Sequence, residues 1–167
     1  MPIVPRPRSM TNDLLVFSLG QQHFALPVGQ VSTVVPRATL TPLPGAPADL
    51  IGLLRLRGVL CPVIDIRPRL GLPVALAHIG ECIVVMHTAT LRIGLLVEGI
   101  ESVVAPPTDP IERQAPVDKD RLIRGVLEVA GHVVATLVAE AVVSAEVRAY
   151  LAASTDGLHY FAGQTAA

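Results

Sequence analysis

An all-β fold made from one unit used twice is predicted by two sets of residues that recur at steady spacings. Gly52, Leu54, Leu56 and Gly58 return 73 positions later as Gly125, Leu127, Val129 and Gly131. They lie within LIGLLRLRGVLCPVIDIR (50–67) and LIRGVLEVAGHVVATLV (122–138), each read as strand, tight turn at glycine, strand. Upstream, Phe24, Leu26, Val28, Val31, Val34 and Val35 return 69 positions later as Ile93, Leu95, Val97, Ile100, Val103 and Val104. Apolar matches come easily in a chain that is 51% hydrophobic, so the paired glycines and the constant offsets carry the weight. The offset changes across proline-bearing loops, Pro36 to Pro47 and Pro106 to Pro116, where insertions are tolerated.

Each element follows from local pattern. Residues 1–12, with Pro2, Pro5 and Pro7, read as a disordered arm. Leu15, Phe17 and Leu19 alternate with polar or smaller neighbours, and Gly20-Gln21-Gln22 turns the chain into Phe24–Val28, a hairpin in which Pro27 predicts an edge strand or a bulge. A strand over Val31–Val35 and a loop over Thr39–Ala48 precede the hairpin from Leu50 to Ile66, and Pro68 and Gly71 close a first unit of about 14–67. The second unit, about 82–138, begins with a hairpin of Cys82–His87 and Leu91–Val97 and continues with a strand over Glu101–Val104. A long polar loop over Thr108–Asp120 leads to the last hairpin, Gly125–Val138, which turns at Ala130-Gly131. Ser144 offers an N-cap for a helix over 145–153, whose face of Val147, Tyr150 and Leu151 would cover a barrel mouth or the seam between units. The domain so defined spans 13–154, followed by a flexible tail over 155–167.

Composition narrows the function classes. A chain of 167 residues can bury about 70% of its unfolded surface in one domain or two small subdomains. A net charge of −1 with a single lysine argues against a nucleic-acid partner, which requires a basic face. No secretory signal is visible, and the uncharged run Leu14–Pro36 is broken by glycine, glutamine, histidine and proline, so neither export nor membrane insertion is expected and a cytoplasmic protein is. Only 16% of residues are charged and the mean hydropathy is +0.56, a balance that points to exposed apolar surface and hence to partners.

The segment Gly52-Leu53-Leu54-Arg55-Leu56-Arg57-Gly58-Val59-Leu60-Cys61-Pro62-Val63-Ile64-Asp65-Ile66-Arg67, with Gly94-Leu95-Leu96-Val97-Glu98-Gly99-Ile100, resembles the CheW-like family of bacterial chemosensory adaptors. The resemblance covers about Leu14 to Leu151. It implies two small five-stranded β-barrels of SH3/OB-like type, related by the internal repeat and packed around a shared apolar core, with a C-terminal helix. It also implies a non-enzymatic adaptor in a chemotaxis or surface-motility pathway, at receptor arrays beneath or near the inner membrane; no cofactor or metal is expected. Its implied partners are the regulatory domain of a CheA-type histidine kinase, the hairpin tip of methyl-accepting chemotaxis receptors and other CheW-like proteins. Carried over residue by residue, it places receptor binding at Val31, Thr33, Arg57, Gly58 and Cys82 and leaves the kinase-binding residues unassigned. This chain departs from the family pattern at Thr33, where an acidic residue that pairs with the arginine matching Arg57 is usual, at Arg55, where Asn is common, and at Glu98, which replaces Asp.

The residues also have plainer readings. Gly58 and Gly131 are turn glycines with positive φ, and Gly52, Pro62 and Gly125 are structural; Asp65 and Arg67 either pair across the strand end or engage a partner, the structural role being the favoured one. Arg57 has Ala130 as its repeat partner, so the fold does not require arginine there; Arg55 has Glu128. Cys61 and Cys82 lie in apolar strands, read as core residues rather than a redox pair. The five histidines are scattered without metal-ligand spacing, and no nucleotide-binding or nucleophile motif is present. Beside the adaptor stand an array scaffold that does not activate a kinase and a small-ligand protein using the gap between the units.

Overall fold

The computed structural model describes residues 12–107, 113–114 and 121–154. The arm expected over 1–12 (residue 12 excepted), the tail over 155–167 and most of the loop over 108–120 lie outside them. The described residues form eleven strands: β1 (Leu14–Leu19), β2 (Gln22–Pro27), β3 (Val31–Pro36), β4 (Leu50–Leu56), β5 (Val59–Ile64), β6 (Cys82–His87), β7 (Arg92–Val97), β8 (Gly99–Val104), β9 (Arg113–Gln114), β10 (Ile123–Val129) and β11 (His132–Leu137). Two helices follow, α1 (Ala139–Val142) and α2 (Ala145–Ala153), the latter capped by Ser144, whose hydroxyl accepts from the Val147 amide at 3.2 Å.

The strands form two sheets, β8-β1-β2-β11-β10-β9 and β3-β6-β7-β5-β4. Neither sheet is one half of the sequence. β1 and β2 pair with strands of the second half, and β6 and β7 with strands of the first. The repeat nevertheless governs the architecture. Replacing β1, β2, β3, β4 and β5 by β6, β7, β8, β10 and β11, and the reverse, converts one strand order into the other, apart from β9 at the end of the six-stranded sheet, which has no counterpart strand. Register obeys the same rule. Val63 pairs with Gly94 across the parallel contact of β5 and β7, and Thr136 pairs with Ala25 across that of β11 and β2. Bulges recur as well, between Val31 and Thr33 on β3 and between Ile100 and Ser102 on β8, and again before Gly52 and before Gly125.

Pro27 belongs to a central strand, not to an edge or a bulge. It stands at the last position of β2, beyond Ala25, where the pairing with β11 stops, so its missing N–H leaves no ladder bond unmade.

Each sheet curls around its own apolar interior. Leu54, Cys61, Val63, Ile83, Val85 and Leu96 fill one, and Leu14, Val16, Ala25 and Val134, with Val104, Leu127 and Val129, fill the other. By the two offsets, Ile83, Val85, Leu54 and Cys61 are the counterparts of Leu14, Val16, Leu127 and Val134. The opposite faces of both sheets meet in the largest cluster, which runs from Leu15, Phe17 and Phe24 through Leu50, Ile64 and Ile93 to Val147 and Leu151. The space between the sheets is therefore packed with side chains, and α2 seals the seam, its Tyr150 hydroxyl donating to the Pro44 carbonyl at 2.7 Å. Among the described residues no helix is long and apolar enough to cross a membrane.

Candidate functional site

A concave groove lies between edge strand β3 and the hairpin of β4 and β5. The hairpin has a two-residue turn in which Arg57 and Gly58 both take positive φ, 50° and 79°. That is the turn whose twist matches the flanking strands. Arg57 is exposed at its tip. Across the groove, the bulge on β3 leaves Ser32 outside the ladder, while Thr33 stays opposite Val85. The groove encloses about 420 Å³ and is lined by Ser32, Thr33 and Val35 on one side and by Leu56, Arg57, Val59 and Arg92 on the other. Among the described residues that line it, Val35, Leu56 and Val59 are apolar and the charged groups are the two guanidinium groups. The Ser32 hydroxyl is held by His87 Nε2 at 2.5 Å, and the Arg92 Nε is buried without a hydrogen-bond partner.

The structure thus brings Thr33, Arg57 and Gly58 to one place. Val31 sits one step further along β3, half-buried against the main core and paired with Met86. Cys82 does not line the groove: it opens β6 opposite Pro36 and Val97, and its Sγ lies 3.5 Å from the Gly80 carbonyl. Arg55 points to the other face of β4 from Leu54 and Leu56 and is exposed. Arg92 belongs to the groove and was missed in the sequence. Subtracting 69 gives His23, an alignment of two basic residues at the start of two hairpin strands that would have singled it out.

The glycines and the motif proline have local explanations. Gly52 has φ of 150°, and a Cβ there would lie 2.9 Å from both the Thr41 carbonyl oxygen and Leu40 Cβ. Gly131 follows Ala130 in the counterpart turn, at 80° and 49°. Gly125 follows the bulge on β10 and accepts from the Thr136 hydroxyl at 3.1 Å. Pro62 is buried opposite Leu53.

At the opposite end of the same sheet lies a buried ion network. The Arg67 Nε donates to Asp65 Oδ1 and Oδ2 at 3.0 and 3.2 Å, one terminal nitrogen donates to Asp65 Oδ2 at 2.9 Å, and the other donates to Glu98 Oε1 at 3.1 Å. Glu98 Oε2 in turn accepts from the Gly20 amide at 2.9 Å, joining this cluster to the β1–β2 turn of the other sheet. Glu81 lies 3.7 Å from Arg67 and is also paired with Arg37. Hydrogen bonding to Asp65 raises the Arg67 pKa further above its already high ordinary value, and Glu98 adds to this while burial opposes it. A pocket of about 700 Å³ opens beside this network, with Arg37, Asp65, Arg67, Val74 and Leu76 among its walls. Its charged groups are bound to one another, which makes them parts of the frame.

Burial pushes the Cys61 thiol up to about 12, against a lesser pull from Arg92, so it stays protonated. Among the described residues no group of three His, Cys, Asp or Glu side chains is placed to hold a metal ion.

Comparison with known proteins gives a consistent result. The CheW-like domain model matches residues 13–147, across both sheets. The chain is 27% identical over 139 residues to the chemotaxis protein CheW of Rhizobium meliloti, covering 81% of this chain and 90% of that protein. It is 29% identical over 99 residues to CheW of Bacillus subtilis, covering 59% and 64%. Protein PilI of Pseudomonas aeruginosa is 27% identical over 100 residues, covering 60% and 56%. The crystal structure of the scaffolding protein TtCheW from Thermoanaerobacter tengcongensis superposes with a TM-score of 0.75 at 23% identity, covering 86% of this chain and 93% of that one. At that identity the likeness shows the fold: two small β-barrels.

Proposed function

Since the chain belongs to the CheW-like domain family, we propose that it is a non-enzymatic chemosensory adaptor, coupling chemoreceptors to a CheA-type histidine kinase from the cytoplasmic side of the membrane. The observation that carries this reading is the groove between β3 and the Arg57 turn. It is an open surface whose lining combines the apolar side chains of Val35, Leu56 and Val59 with two guanidinium groups, suited to gripping a protein segment. The packed seam between the sheets favours it over a small-ligand carrier. In this reading the receptor hairpin tip seats against Thr33, Arg57 and Arg92, and a barrel end meets the regulatory domain of the kinase. A specific contact of that kind buries on the order of 1,200–2,000 Å². Pull-down of the kinase regulatory domain and of a receptor-tip hairpin tests it. Capture of both supports the coupling role. Capture of neither contradicts it.

A further inference from the structure

The groove has a counterpart on the other sheet, generated by the same two offsets. Ser32, Thr33 and Arg92 correspond to Glu101, Ser102 and His23, and Arg57 and Val59 correspond to Ala130 and His132. In the counterpart the basic group has an acid: His23 Nδ1 and Glu101 Oε2 lie 2.8 Å apart, and the His132 ring stands 4.8 Å from that of His23. The groove itself has two arginines and no carboxylate in its lining. Where Glu101 would supply charge there is Ser32, engaged with His87, and beside it Thr33 is exposed. A guanidinium fork matches a carboxylate in two parallel bonds, and two such groups without a carboxylate beside them leave the lining positively charged.

Resting on the adaptor reading, we infer that the partner segment seated in this groove carries an Asp or Glu side chain that pairs with Arg57 and Arg92. The acid that completes the site comes from the partner, because among the described residues no carboxylate lines the groove. The groove thereby selects acidic hairpin tips and discriminates against tips that place Lys or Arg at the same point.

The test uses the full chain and a receptor-tip hairpin fragment in which each Asp or Glu is replaced singly by Asn or Gln, with affinities measured by calorimetry. At least one such replacement is expected to weaken binding tenfold or more, and that loss is expected to shrink when Arg57 is already Ala. Thr33→Glu, which places an acid inside the groove, is expected to bind the unmodified tip at least tenfold more weakly than Thr33→Gln, with urea midpoints confirming that both variants fold. If every acid-to-amide tip binds within threefold of the unmodified one, or Thr33→Glu and Thr33→Gln bind alike, the partner acid is refuted while the adaptor reading stands. If the unmodified tip does not bind at all, both fall together.

Discussion

Arg57 and Ala130 occupy the same position of two equivalent hairpin turns, with φ of 50° and 49°, each followed by a glycine at 79° and 80°. A left-handed conformation at a residue with a Cβ costs on the order of 1 kcal/mol. The two turns share that cost, so the arginine side chain adds nothing the turn requires. Arg57→Ala is therefore expected to shift stability by less than about 1 kcal/mol, as expected for an exposed charge. Arg57→Gly is expected to stabilise by roughly 0.5–1 kcal/mol, because glycine adopts this conformation without strain. Urea midpoints of both variants check this. A loss above 2 kcal/mol in either would mean that Arg57 supports the fold.

Arg67 is the opposite case. It is 2% exposed and surrounded by Asp65, Glu81 and Glu98. Truncation to Ala would strand those carboxylates at the junction of the two sheets and is expected to cost about 3–5 kcal/mol. The comparison with Arg57→Ala, read in the same denaturant series, separates a frame arginine from a surface one. Equal midpoints for the two variants would contradict it.

Gly94 tests the repeat at atomic scale. A Cβ there would come within 2.6 Å of Ile83 Cγ2 and 3.2 Å of Val63 Cγ2. Its counterpart, 69 positions earlier, is Ala25, fully buried, with Leu14 in the place of Ile83. Gly94→Ala is expected to destabilise by about 1–3 kcal/mol through overpacking. Adding Ile83→Leu removes the β-branch and is expected to restore part of that loss. A double-mutant cycle with no coupling would show that the two interiors are not equivalent.

The two thiols should differ in reactivity. Cys61 is buried with its pKa pushed up to about 12, whereas Cys82 is half-buried at a strand end. One thiol per chain is expected to react with a disulfide reagent near pH 8 in the native protein, and two after unfolding. The raised Cys61 value also sets a direction for stability. The folded state holds the proton more tightly than the unfolded state, so this contribution is complete below the ordinary thiol pKa near 9 and is lost as pH rises toward about 12. Its loss is at most about 1.4 kcal/mol per pH unit. Cys61→Ser should flatten that alkaline slope; an unchanged slope would remove the thiol from the explanation.

Much of this fold was legible in the sequence because alternation and turn glycines are local signals, and Gly58 and Gly131 fall at equivalent turns as their spacing implied. The exchange of strands between halves was not legible. An offset states which strands are equivalent, and either half could in principle have closed on itself. The groove was legible in Arg57 and Thr33 through the family pattern, whereas Arg92 enters it only because β7 runs beside β5. The ties from Arg67 to Glu81 and Glu98 were invisible for the same reason, since they join residues brought together by the parallel contact of β5 and β7.

The most direct test of the adaptor role is autophosphorylation of CheA reconstituted with receptor membranes and this protein, comparing the native chain with Arg57→Gly. The native chain is expected to raise the phosphorylation rate. Arg57→Gly, folded at least as stably, is expected to fall well short of it because the receptor contact is lost. A native chain that leaves the kinase unchanged, or an Arg57→Gly variant that activates it fully, would contradict the assignment of this groove as the receptor-coupling site.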